Sequence, residues 1–452
     1  MKKSEFLMII LEKAQQMLKN HPLCNHCLGR QFALLGYGLN NQQRGETIKL
    51  LSTMQAHQLT LSKRKSGMAR LKTLAINGSF NMAIELLERN GKELGEKQQC
   101  YLCEGRFEFV NEFVESALEK LNDYEFSTFL VGVELPTQAE EREDEFKAEF
   151  EVKHGESMRN EFSREIGKEI SKVTKKVVDY KRPEIVILVN PFSGQVHLQV
   201  NPLLIAGRYR KLVRGIPQSK WLCAECRGNG CSRCNGTGKL YPESVEELIG
   251  EPTLEVTEGE TIAFHGAGRE DIDARMLGQG RPFAVETKKP KRRFIDLNSL
   301  TQTVNRRAKG KVEISNLQFV TKDTVRALKR AEGAQKLYKV TVEFGKSVRK
   351  QKLSELAETL TNAVIHQKTP RRVLHRRADL VREKYIYKAK VKRLKPDKIE
   401  MQIHCQGGLY IKELITGDEG RTTPSVAEIL NVEAKPLELD VLNVITTKEE
   451  AI

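Results

Sequence analysis

The chain has 452 residues, a formal net charge of +15 and one tryptophan, which allows two or three domains and makes nucleic acid the first candidate partner, ahead of an anionic membrane surface. No apolar stretch approaches the roughly twenty residues of a spanning helix, and Met1-Lys2-Lys3-Ser4 leads to no small-residue cleavage site. A soluble, cytoplasmic protein without membrane association is therefore expected. Of the 9 cysteines, all except Cys405 fall in Cys-x-x-Cys pairs, which in a basic chain without an export signal argues for thiolates on metal and against disulfides.

Residues 4 to 19 put Phe6, Leu7, Ile10, Leu11, Ala14 and Leu18 on one helical stripe behind Ser4 as a cap. Cys24-Asn25-His26-Cys27 follows, then a helical region ending near Asn90-Gly91, then Cys100-Tyr101-Leu102-Cys103. Val110, Phe113, Val114, Ala117, Leu118 and Leu121 form the next helical face. Cys24, Cys27, Cys100 and Cys103 fit a tetrahedral structural zinc site, and their long separation means that the metal would clamp a domain instead of creating one. A redox Cys-x-x-Cys pair is the competing reading. A closed four-sulfur shell has no open position, so no catalysis is expected there.

Strands are expected at Ser127 to Val133, Glu184 to Val189 and Gln195 to Val200, with a charged, largely helical stretch from Gln138 to Lys175 between the first two. A basic segment, Gly207 to Gln218, comes next. This plan resembles a THUMP-type RNA-binding domain; a basic surface helix on a plain α/β domain competes with it. Pro217 marks a boundary. Beyond it, Cys223, Cys226, Cys231 and Cys234 are interleaved with glycines that free backbone N–H groups for sulfur, similar to the zinc repeats of certain chaperones. Metal binding is expected, as a zinc-stapled insertion without a catalytic part. Whether these cysteines close one site alone stays open, since only residues 227–230 separate the pairs.

From about 244 to the end the pattern is mixed. Strands are expected at Glu260 to Phe264, Lys336 to Phe344, Lys384 to Val391, Lys398 to Cys405 and Leu437 to Ile445, and helices at Thr321 to Ala331 and Ser354 to Ile365. Three basic blocks, Lys288 to Arg293, Arg306 to Lys311 and Thr369 to Asp379, are better explained by a phosphate backbone than by three solvated loops. The stretch Gly266 to Phe283 concentrates carboxylates, arginines and glycines. Glycine permits positive φ and close approach, and arginine offers a planar fork for phosphate. On composition alone it reads equally well as a polar loop with local ion pairs.

Gly268-Arg269-Glu270-Asp271 is similar to the Gly-Arg-Thr-Asp signature of pseudouridine synthases. The longer run to Phe283 looks like the archaeal and eukaryotic class that modifies the TΨC arm of tRNA. The resemblance extends through the separated N-terminal cysteine pairs, Thr369-Pro370-Arg371-Arg372-Val373, His375-Arg376-Arg377-Ala378-Asp379, Gly408-Leu409-Tyr410-Ile411-Lys412-Glu413-Leu414 and Gly417 to Pro424. It implies an α+β chain: a catalytic domain with a mixed, largely antiparallel sheet of pseudouridine-synthase type over 244–452, a Cys-rich insertion over 217–243, and a zinc-clamped, THUMP-like α/β domain over 1–216.

It further implies that Asp271 is the catalytic aspartate, with Asp273 the competing carboxylate facing the other way in an extended segment. Tyr338, otherwise a core tyrosine, would stack on the target base. Lys412, otherwise an exposed strand lysine, would pair with the aspartate, and Ile411 and Leu430 would wall the pocket. Arg269 and Arg275 would contact phosphate or carboxylate. Arg371, Arg372, His375, Arg376, Arg377 and the Lys288 to Arg293 loop would hold the substrate while its uridine is flipped out. Cleaving N1–C1′, rotating uracil and rejoining at C5 needs an ionised aspartate, as nucleophile or as base, and no organic cofactor. The implied partner is tRNA at position 54, 55 or both, with no obligatory protein partner. A non-catalytic, zinc-dependent tRNA-binding protein is the alternative; base methylation is disfavoured because no glycine-rich strand-to-helix turn is present.

Overall fold

The computed structural model describes residues 3–92, 96–330 and 334–445; the side chains of residues 3–9 and of Arg376 lie outside the description, and with them the expected roles of Ser4, Phe6, Leu7 and Arg376. Two compact units divide after Asn201.

In the first unit the helices Lys3–Asn20, Asn41–Leu61, Lys65–Ile76, Asn81–Arg89 and Val110–Leu121 bury Met17, Leu18, Leu71, Leu74, Leu87, Phe113 and Leu121 in a common core. The cysteine knuckle at Cys24 packs against the long second helix with no room for side chains: a Cβ on Gly29 would lie 1.8 Å from the Asn41 carbonyl oxygen. Lys49 of that helix is buried and donates to the carbonyls of Leu23 (2.8 Å) and Gly78 (2.7 Å) and to Asn25 Oδ1 (2.8 Å), which ties the knuckle to its neighbours. A four-stranded sheet completes the unit in the order Val177–Val178, Thr128–Val133, Ile185–Asn190, Gln195–Val200, the first three parallel and the last antiparallel. The stretch expected as largely helical from 138 to 175 is two helices, Thr137–Glu149 and Met158–Thr174. They break because Ser157 caps the second by accepting from the Asn160 N–H, while the buried Glu143 pairs with the fully buried Arg30.

The second unit is built on a ten-stranded sheet. Its path runs Thr422–Thr423, Ala363–Lys368, Val381–Lys395, Lys398–Cys405, Gln335–Phe344, Ala434–Ile445, Ala274–Lys288, Leu203–Lys211, Val312–Phe319, with Thr261–Gly266 also paired to Ala274–Lys288. All pairings are antiparallel except one: Ala434–Ile445 runs parallel to Ala274–Lys288, with Leu439 opposite Ala274 and Asp440 opposite Arg275. Helices Val245–Thr257 and Leu297–Arg307 cover one core, lined by Ile205, Tyr209, Met276 and Phe283. Helix Lys350–Leu360 covers another, lined by Val340, Val342, Ile399, Met401 and Ile403.

Several expectations change here. Residues 203–211 belong to this sheet and not to a basic segment of the N-terminal domain, so the division falls after Asn201 instead of at Ile216. The strand is buried on both sides, with Ile205 and Tyr209 in one core and Leu204 and Ala206 in another, and its Arg210 is exposed. Most of the Gly266 to Phe283 stretch is strand too. Gly278, at φ +61°, lies where a Cβ would meet the Leu442 carbonyl oxygen at 1.9 Å, so the glycines serve close strand packing. Only residues 267–273 form a loop. The helix expected to reach Ile365 ends at Leu360; Asn362 at φ +59° turns the chain into the strand Ala363–Lys368. Two basic blocks are partly answered within the chain: Lys289 pairs with Glu260 (2.9 Å), Arg292 with Glu258 (3.3 Å), Arg307 with Glu255 (2.7 Å), and Lys311 with Glu243. Among the described residues no helix is long and apolar enough to cross a membrane.

Candidate active site

The loop 267–273 leaves the end of Thr261–Gly266 and enters the sheet at its single parallel junction. Its inner side is fixed by a buried polar network. Glu270 accepts from Tyr209 Oη (2.8 Å) and Arg281 Nε (2.9 Å), and Arg281 also donates to the Ala267 carbonyl (2.8 Å). Gln218 Nε2 bridges Tyr209 Oη (2.7 Å) and the Gly268 carbonyl (3.0 Å). Lys211, fully buried, donates to the carbonyls of Ile216 (2.8 Å), Asp271 (3.1 Å) and Ile272 (3.2 Å). Burial pulls the Lys211 ammonium below its ordinary pKa, against the opposing charge of Glu270.

With the backbone held from below, Asp271 turns outward into a cavity of about 760 Å³. Arg372 lies 3.3 Å and Lys412 3.4 Å from its Oδ2. Lys412 is nearer to Asp273, at 2.7 Å from both carboxylate oxygens. Burial raises the Asp273 carboxyl, but the Lys412 hydrogen bond and charge outweigh it and leave the group below its ordinary range. Tyr338 lines the same cavity from the strand Gln335–Phe344, between Ile403 and Val441, and burial pushes its phenol further up from its ordinary value. Arg372 is anchored by Glu413, which accepts from its Nε at 2.7 Å, and its guanidinium lies 5.7 Å from the Tyr410 ring centre.

The family model described as Pus10, C-terminal, matches residues 204–445, and that described as Pus10 THUMP domain, archaeal, matches residues 113–190. A curated relative from Methanothrix thermoacetophila, named tRNA pseudouridine synthase Pus10, is 41% identical over 437 residues, 96% of this chain and 94% of the relative. A relative of the same name from Methanocaldococcus jannaschii is 44% identical over 438 residues, covering 95% and 93% of the two chains. The chain belongs to the Pus10 family of tRNA pseudouridine synthases.

Of the residues singled out from the motifs, Asp271, Tyr338, Lys412, Arg269, Arg372, Arg377 and Ile411 line one cavity, although they come from separate parts of the chain. Lys412 stands in the first turn of a short helix, Ile411–Thr416, and not on a strand. Arg275 is not at the cavity. The parallel junction sets it opposite Asp440, which accepts from its Nε (2.9 Å) and Nη2 (2.8 Å), so its fork is taken up by a partner within the sheet. Leu430 is buried in the apolar core and does not line the cavity, because its five-residue helix packs inward. Arg371 pairs with Glu419, and Arg371 and His375 are exposed outside the lining. The sequence reading missed the buried supports, Glu270, Arg281 and Lys211, and the lining residues Trp221, Arg382, Lys384 and Tyr410. Glu270 stood within the Gly268 to Asp271 motif itself, next to the residue assigned to catalysis.

Each set of cysteines comes together as a group whose sulfurs lie within 4.8 Å of one another. Cys24 and Cys103 Sγ are 3.6 Å apart, and Cys223–Cys231, Cys226–Cys234 and Cys231–Cys234 are 3.7 to 3.8 Å apart. These are too long for disulfides and close to the roughly 3.8 Å edge of a tetrahedron with metal–sulfur bonds of about 2.3 Å. Gly230 and Gly238 N–H groups donate to Cys226 and Cys234 sulfur at 3.2 Å, which suits thiolate. The second set therefore closes one candidate site by itself, and both can hold a metal ion.

Proposed function

We propose that the chain isomerises uridine 54, uridine 55 or both in the TΨC arm of tRNA, with Asp271 as the reacting carboxylate. The observation that carries this is a carboxylate and an aromatic ring lining one cavity, while the backbone of the carboxylate is gripped by buried Lys211. The flipped uracil stacks on Tyr338. Asp271 then attacks the base or sugar, or removes a sugar proton; in each case the N1–C1′ bond breaks, the base rotates, C5 bonds to C1′ as the bond to Asp271 breaks or the sugar proton returns, and C5 loses the proton that N1 gains. Arg372 and Lys412 face the carboxylate, with Lys412 bridging to Asp273. Ile411 and the neutral Tyr338 keep the detached uracil from water. Arg269 and Arg377, with Arg382 and Lys384 at the rim, meet tRNA phosphates. Zinc at the two cysteine sets is structural, and no organic cofactor is used.

The deciding measurement maps pseudouridine in an unmodified tRNA transcript incubated with the chain. Asp271→Ala is expected to lose at least about 10³-fold in product formation while tRNA affinity changes by less than about threefold. Asp273→Asn is expected to keep most of the activity. Product formed by Asp271→Ala at the unaltered rate would remove Asp271 from the reaction, whereas none formed by the unaltered chain would remove this reading in favour of a tRNA-binding role.

A further inference from the structure

Trp221 is the only tryptophan of the chain, and it stands at the root of the second cysteine knuckle, in the wall of the Asp271 cavity. The two ends of the knuckle are zipped together: Leu222 bridges Lys239, the Leu240 N–H donates to the Trp221 carbonyl (2.9 Å), and the Cys223 N–H donates to the Gly238 carbonyl (2.8 Å). Tyr241, on the returning end, meets the indole edge-on at 5.7 Å between ring centres. The guanidinium of Arg269, two residues before Asp271, lies 5.1 Å from the indole centre. The half-buried indole thus stands at the root of a loop whose sulfurs come together and carries the exposed Arg269 cation over its ring.

We infer that Trp221 is a second stacking platform, which takes an unstacked RNA base next to the uridine seated on Tyr338, and that closure of the Cys223–Cys234 set is what holds it in place. An indole face accepts any base, because every base has a π-face, and the cation–π contact keeps that face oriented before RNA arrives. On binding, the base takes the indole face and Arg269 moves to the phosphate beside it. The knuckle thereby positions a substrate-contacting residue for a cavity that its cysteines do not line.

This inference rests on the cavity being the RNA-modifying site, and its test is separable from that reading. The first arm titrates the full-length Asp271→Asn chain with an unmodified tRNA transcript and follows tryptophan emission, which can come only from Trp221. The expected result is a saturable change whose midpoint equals the dissociation constant from filter retention; retention without any emission change overturns the proposal. In the second arm Trp221→Ala is expected to raise KM for tRNA about tenfold with kcat within about threefold, and Trp221→Phe to restore most of the loss. Equal behaviour of Trp221→Ala and the unaltered chain overturns it, as does failure of a folded Trp221→Phe to recover. In the third arm Cys231→Ser is expected to shift the emission to the red before RNA is added and to raise KM as Trp221→Ala does. Unchanged emission and KM would overturn the role of the knuckle. If the unaltered chain makes no pseudouridine, the proposed function fails, yet the emission titration still reports whether RNA reaches Trp221.

Discussion

The two cysteine sets use the same donors in opposite settings. Cys27, Cys100 and Cys103 are buried in the core of the first unit, where the set joins residues far apart in sequence and is braced by the buried Lys49. Cys223, Cys226, Cys231 and Cys234 close a short surface loop whose neighbours are a few residues away, and Cys226, Cys231 and Cys234 are only half-buried. A cross-link stabilises mostly by removing freedom from the unfolded chain, and a long connection has more freedom to lose than a short one. The first set therefore bears on whether its unit folds, and the second on where Trp221 points. Beneath Asp271 the second unit has another solution: buried Glu270 with Arg281 and Lys211 does with charge what the first unit does with sulfur.

The largest effect that would break this comparison is at the buried set. Cys103→Ser is expected to cost at least about 5 kcal/mol, part of the 10–16 kcal/mol that structural zinc can supply, and to lower the calorimetric midpoint of the first unit by about 10–20 °C. A shift below about 2 °C would mean that the set is no clamp. Next comes Glu270→Gln, which leaves Arg281 and Lys211 buried without their counter-charge. It is expected to lose about 3–5 kcal/mol in denaturant unfolding and most of the activity, and neutrality in both would deny that the network supports the loop. Cys231→Ser should lower the thermal midpoint by less than about 3 °C, sharpening the contrast with Cys103→Ser.

The smallest effect concerns pH. Burial raises the Asp440 carboxyl, but its hydrogen bond to Arg275 and the charges of Arg275, Arg214 and Lys339 hold it, on balance, below its ordinary value of 3.8. A folded value below the unfolded one gives stability that is present above about 3.8 and is lost as pH falls through the folded value. Melting curves from pH 6 to pH 2 should therefore fall less steeply for Asp440→Asn than for the unaltered chain, and parallel curves would show that the pair contributes nothing to acid stability.

How much of the fold and the site is legible in the sequence depends on the range of each signal. The cysteine pairs, the alternation of Lys398–Cys405 and the run from Gly268 to Asp271 are local, and the structure has them where the sequence implied. The strands Ala274–Lys288 and Leu203–Lys211 were not legible, because glycines and arginines disguise positions whose burial comes from neighbouring strands. Arg275 illustrates the limit: its residue type permits a phosphate contact, but register alone brought Asp440 to it.

The sequence by itself determined the chemistry on offer: which carboxylates, cations, rings and thiolates the chain carries, and the family motif that links them. Only the tertiary structure decided which of these share a cavity. It chose Asp271 over Glu270 for the open side of one loop, tied Arg275 to Asp440, sent Leu430 inward, and brought Trp221 from beyond Pro217 to the wall. The reason is physical. Residue type and spacing are properties of a few adjacent bonds, whereas facing a common space depends on strand register and burial set by segments hundreds of residues apart.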